Sequence, residues 1–142
     1  MSRTLDQRRA SFALAFITSY RAGEGGGEKL STHVHKTPIR ILQNGLGQAL
    51  AYLVADAKPP ARALYEHLQE WLCGQVDDRH PCRVYPPAAS GGGTSELLVS
   101  LIGGDRAPYL RAQDEALRLF AWLKKFADAY LTVPTSAVPP VA

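Results

Sequence analysis

Cysteine is scarce in this chain of 142 residues: only Cys73 and Cys82 occur. Two thiols are too few for a disulfide scaffold, and they fit a reducing cytoplasmic setting. Long hydrophobic runs are also missing. The longest uncharged helical stretch, 41–55, contains Gln43, Asn44 and Gln48. It is too short and too polar to cross a bilayer, which needs about 20 apolar residues. Arg8 and Arg9 precede an apolar stretch and so mimic an export signal. No small-residue cleavage site follows, however, and Arg21 and Glu24 come soon after. Convincing strand alternation and internal repeats are absent as well. Neither sign of charge dominates: 16 Lys and Arg stand against 13 Asp and Glu, for a net charge of +3. Mild basicity permits a polyanionic partner without demanding one. Residues 1–40 carry seven basic against three acidic side chains, 41–103 four against six, and 104–142 five against four. Basic surface is therefore to be sought toward the two ends.

What is present is helical periodicity, at a length that predicts one domain with one core. Thr4 and Gln7 form a capping-box start. Phe12, Ala13, Phe16, Ile17 and Tyr20 then recur on one face, and Gly23 stops the helix. Arg9 falls within this apolar stripe, so its charge must reach water or a partner. Residues 24–27 read as a glycine-rich joint and 28–36 as a short helical turn. Pro38 opens a second helix to about residue 55, with Ile39, Leu42, Leu46, Ala49, Leu50 and Leu53 on its buried face. A third helix spans 60–73, with Leu64, Leu68, Trp71 and Leu72 apolar. Residues 77–93, rich in proline and glycine, read as a long loop. Thr94 or Ser95 caps a short helix to residue 101. Asp105 caps the longest helix, to about residue 131. The expected fold is an all-α bundle of about five or six helices over 1–131, with a proline-rich, flexible tail over 132–142.

Catalytic motifs do not announce themselves. There is no paired-carboxylate motif at a useful spacing, no nucleophile elbow and no P-loop, because the glycines at 45 and 47 lie inside a helical pattern with no strand before them. His67, Cys73, His80 and Cys82 are too irregularly spaced for a zinc site. They read as a buried thiol and a loop. His33 and His35, two residues apart, point in different directions on a helix. No metal, cofactor or catalytic residue is predicted. Arg40, Asn44, Gly47, Gln48 and Ala51 share a small polar face opposite the leucines. Two glycines within a helix mark a close neighbour: another helix, a partner subunit or a nucleic-acid backbone. On the last helix Arg111, Arg118 and Lys125 recur every seven residues, while Asp114 and Glu115 are placed to pair at helical spacing. Trp122 sits where this basic face meets the apolar side, either anchoring an interface or closing a wide core.

Three segments carry a resemblance. They are Leu5-Asp6-Gln7-Arg8-Arg9-Ala10; Pro38-Ile39-Arg40-Ile41-Leu42-Gln43-Asn44-Gly45-Leu46-Gly47-Gln48-Ala49-Leu50-Ala51-Tyr52; and Tyr109-Leu110-Arg111-Ala112-Gln113-Asp114-Glu115-Ala116-Leu117 with Trp122-Leu123-Lys124-Lys125-Phe126-Ala127. In order and spacing the chain resembles the small helical subunit of type III-B (Cmr-type) CRISPR effector complexes, the middle segment being the most specific. The resemblance implies a non-catalytic helical subunit of an antiviral ribonucleoprotein. Copies of it would line an inner filament beside the repeated backbone subunit and the large cyclase-bearing subunit. They would contact guide RNA and target RNA through the backbone rather than the bases. The candidate RNA contacts are then Arg8, Arg9, Lys36, Arg40, Arg111, Arg118, Lys124 and Lys125. Asn44, Gly47, Gln48 and Trp122 form a packing or partner-contact face. The competing readings are a helical protein–protein adaptor without nucleic-acid contact, a small helical enzyme or zinc protein, and a helix-turn-helix regulator.

Overall fold

A computed structural model describes residues 3–21, 27–74, 84–85 and 96–131. Gly23, most of the 24–27 joint, most of the 77–93 loop with His80 and Cys82, the cap assigned to Thr94 or Ser95, and the 132–142 tail lie outside the described residues. Six α-helices and no strand occur among the described residues: α1 Leu5–Arg21, α2 Gly27–Asn44, α3 Leu46–Asp56, α4 Pro59–Leu72, α5 Glu96–Gly103 and α6 Arg106–Tyr130. The all-α bundle is as the periodicity predicts.

α1 starts where expected. Thr4 N–H donates to Gln7 Oε1 (2.8 Å) and Gln7 N–H to Thr4 Oγ1 (3.0 Å), which satisfies two amides that a helix start leaves without partners. Ala13 and Ile17 are buried, with Phe12, Phe16 and Tyr20 packed partly against the core. Longest of the six, α6 is the element on which α1 packs most extensively, and α2 packs on both α3 and α6. Gly27 sits against Leu131, while the first residues of α3 meet Tyr109 and Gln113. α2 therefore runs antiparallel to α6.

The centre of the chain differs from expectation. The predicted turn at 28–36 and the helix opening at Pro38 are one helix, α2, with Pro38 inside it and buried. A proline in a helix interior costs about 3 kcal/mol. The apolar line Leu30, Val34, Pro38 and Ile41 continues through it, and its burial offsets that cost. The real break comes seven residues after Pro38, at Gly45, whose φ of 92° is open to glycine and strained for other residues. Because α2 and α3 are separate helices, they turn different faces to the core. Ile41 is buried, whereas Ile39 and Leu42 are 54% and 73% exposed, not buried as the continuous-helix pattern predicts. Leu46, Ala49, Leu50 and Leu53 of α3 are buried as expected.

Three helix ends are closed from elsewhere in the fold. Leu46 N–H donates to Gln113 Oε1 and Gly47 N–H to Tyr109 OH, both at 2.9 Å. At α5, Leu97 N–H donates to Gln69 Oε1 (2.8 Å) and Leu98 N–H to Tyr65 OH (3.1 Å). The Leu72 carbonyl at the end of α4 accepts from the backbone of Val84 and Tyr85. Asp105 occupies the N-cap position of α6 as predicted, but its side chain makes no capping bond.

Candidate nucleic-acid interface

The seam between α1, α4 and α6 holds a buried polar network. Arg9 is 7% exposed and Glu115 8%. Arg9 Nε and Nη2 grip the two carboxylate oxygens of Glu115, the second at 2.8 Å, and Nη1 reaches Asp6 Oδ1 at 3.1 Å. Trp71 Nε1 donates to Glu115 Oε2 at 2.8 Å. Such a bidentate fork has both charge assistance and a fixed geometry. Arg9 therefore leaves the set of candidate RNA contacts. Its charge is met inside the protein by Glu115, 106 residues away in sequence, and not by water or a polyanion. Glu115 is correspondingly not part of the surface ladder that helical spacing predicts for it.

At the outer edge of this network Trp122 Nε1 donates to Asp6 Oδ1 at 3.1 Å, and its ring stacks on Phe126 with centroids 5.6 Å apart. Trp122, Arg9 and Arg118 together hold the Asp6 carboxyl below its usual range, the Trp122 hydrogen bond being the largest cause. Trp122 joins α6 to α1 and closes the edge of the core.

Beyond that edge lies the outward face of α6. Arg111, Arg118, Lys124 and Lys125 are all exposed. Arg118 bonds Asp114 at 2.9 Å, with both side chains open to solvent, so the pairing predicted by helical spacing forms and stays on the surface. At a rise of about 1.5 Å per residue, Arg111, Arg118 and Lys125 mark a cationic line about 21 Å long. The remaining candidates lie elsewhere. Lys36 is exposed on α2, and the Arg40 guanidinium lies 3.7 Å above the Tyr52 ring of α3. Arg8, on α1, is half-buried.

Asn44 and Gln48 are exposed, but Gly47 faces inward. A Cβ there would meet Tyr109 OH at 3.3 Å and Leu101 at 3.8 Å. Of the neighbours that paired glycines allow, the structure supplies a helix of the same bundle. Tyr109 and Gln113 as caps, and Tyr52 beneath Arg40, escape the sequence reading. Only the two glycines signal the close approach, and nothing in the sequence names their partners.

His67 is fully enclosed between Phe12 and Phe16, whose ring centroids stack on it at 4.3 and 4.1 Å. Burial pushes its pKa down to about 3, which keeps the ring neutral. Burial also pushes the Cys73 thiol up to about 11. Both side chains pack the core at neutral pH. His33 and His35 turn to different neighbours, as their spacing predicts: His33 Nε2 lies 3.6 Å from Asp56 and His35 Nε2 3.0 Å from Asp128.

Comparison with known proteins gives one consistent result. The family model for CRISPR-associated protein Cas_Cmr5 matches residues 5–130. A curated relative, the CRISPR system Cmr subunit Cmr5 of Thermus thermophilus, is 32% identical over 129 residues, covering 91% of this chain and 97% of the relative. The crystal structure of a CRISPR-associated Cmr5 family protein from the same species superimposes with a TM-score of 0.72 at 28% identity, covering 92% of this chain and all of that one.

Proposed function

Because the chain belongs to the CRISPR-associated Cmr5 family, we propose that it is the non-catalytic small subunit of a Cmr-type (type III-B) RNA-guided effector. In this role it touches guide and target RNA through the sugar–phosphate backbone and helps assemble the inner filament with further copies of itself. The repeated backbone subunit and the large cyclase-bearing subunit are its protein neighbours, and the cytoplasm is its compartment. The observation that carries the RNA contact is the outward face of α6, where Arg111, Arg118, Lys124 and Lys125 project from one rigid helix. Arginine and lysine on such a surface neutralise phosphates without reading bases. The shape of an A-form duplex is recognised in this way.

Binding of the isolated full chain to a short single-stranded RNA, followed by fluorescence anisotropy across a salt series, tests this reading. Four phosphate contacts give a log–log salt slope of about −3, and Arg118→Gln with Lys125→Gln brings it to about −1.5. A slope that the double substitution leaves unchanged removes α6 from the interface.

A further inference from the structure

Exposed apolar side chains gather where α2 lies beside α6. His35, Ile39 and Leu42 follow one another on α2 at steps of four and three residues, and Leu117, Ala121, Lys124 and Asp128 on α6 at steps of four, three and four, so each set forms one ridge. The two ridges meet at His35, whose Nε2 lies 3.0 Å from Asp128. Leu42 comes seven residues after His35 and Ala121 seven before Asp128, each about 10 Å along its helix. Because the helices are antiparallel, Leu42 stands level with Ala121, and Leu117 lies one turn beyond. Ile39 and Leu42 are 54% and 73% exposed, Ala121 is exposed and Leu117 half-buried. Past the His35–Asp128 pair, α2 and α6 thus border a shallow apolar strip that is open to solvent.

The chain itself holds an occupant of matching chemistry and length. Residues 132–142, outside the described residues and beyond the family match at 5–130, have no charged side chain and include three valines and three prolines. They follow Leu131, which is buried at the end of α6 beside Gly27. Ala121 and Leu117 lie about 15 and 21 Å back along α6 from that point. A reversal of the chain takes about three residues. At about 3.1 Å per extended residue, Val138 then comes about 12 Å back and Val141 about 22 Å, near the levels of Ala121 and Leu117. Proline restricts such a segment before it docks and so reduces the freedom lost on docking.

We propose that residues 132–142 fold back along α2 and α6 of their own chain and cover this strip, with Val138 against Leu42 and Ala121 and Val141 against Leu117. A partner that uses the strip must first displace the segment. The proposal rests neither on the RNA contact of α6 nor on membership in an assembly.

Methyl NOE and ¹⁵N relaxation spectra of the isotope-labelled full-length chain test it. NOEs from Val138 and Val141 to Leu42 and Leu117 are expected, with order parameters at the Val138 and Val141 amides above about 0.6. Val138→Ser with Val141→Ser, which leaves every helix untouched, is expected to remove the NOEs and bring the order parameters below that value. Leu42→Ser on the other side of the contact should release the segment in the same way, whereas Leu14→Ser, at a side chain 36% exposed on α1, should leave it docked. The proposal is overturned if the full-length chain shows no such NOEs, if they arise only between labelled and unlabelled copies in a mixed sample, or if Leu14→Ser releases the segment as Leu42→Ser does. The RNA reading fails separately, through an RNA salt slope that the Arg118 and Lys125 substitutions leave unchanged.

Discussion

Replacing Glu115 by alanine removes the carboxylate that compensates Arg9 and accepts from Trp71. Arg9, 7% exposed, stays where it is, because α1 is fixed by Ala13 and Ile17 in the core. Breaking a buried pair on one side costs about 3–5 kcal/mol, since the remaining charge is left without its partner. Asp6, still 3.1 Å from Arg9, compensates part of that charge, which favours the lower end. Total stability for a domain of this kind is about 5–15 kcal/mol. With about 3–4 °C of melting temperature per kcal/mol at this length, Glu115→Ala is expected to melt about 10 °C lower. The double variant Arg9→Met with Glu115→Leu removes both charges and keeps apolar volume, and it should recover most of the loss. Circular-dichroism melts of Arg9→Met, Glu115→Leu and the double variant form a cycle that isolates the coupling. If Glu115→Ala costs less than about 1 kcal/mol, or the double variant is no better than the single, the network does not organise the seam as described.

Gly45→Ala combines a strained φ of 92° with a Cβ 2.9 Å from Tyr109 OH, and should cost about 1–3 kcal/mol in a denaturant titration. Gly103→Ala, with nothing within 4 Å of the added methyl group, serves as its control. His67 is neutral in the native state with a pKa of about 3 against 6.5 unfolded, so the unfolded chain binds the extra proton between those values. Stability from this site is therefore complete above pH 6.5 and declines as pH falls toward 3. His67→Phe should flatten the decline in melts taken across that window. Leu42→Ser, which changes a side chain 73% exposed, should alter the melting temperature by less than about 2 °C in a circular-dichroism melt.

Much of the fold is legible in the sequence because its signals are local. Thr4 and Gln7 announce the start of α1, and Leu64, Leu68 and Leu72 recur at one helical period in α4. The errors fall where tertiary contacts override local preference. Pro38 ordinarily opens a helix, but burial of Leu30, Val34 and Ile41 carries α2 through it. Gly45 looks like a tolerated helix glycine until Tyr109 and Gln113, more than sixty residues away, cap the helix that begins beside it. That single break sets Ile39 and Leu42 facing out. Arg9 shows the same limit for the site: an arginine in an apolar stripe implies a compensating group, but a carboxylate on α6 can be found only by folding the chain. The solvent face of α6 is readable because Arg111, Arg118 and Lys125 repeat at the helix's own period.

Photo-crosslinking of the assembled effector to a guide–target RNA duplex, with peptide mapping of the adducts, puts the functional account to its most direct trial. Adducts within 111–125 of α6, formed with equal yield on targets of unrelated sequence, are the predicted result. Adducts confined to other subunits, or a yield on α6 that follows the base sequence, would contradict it.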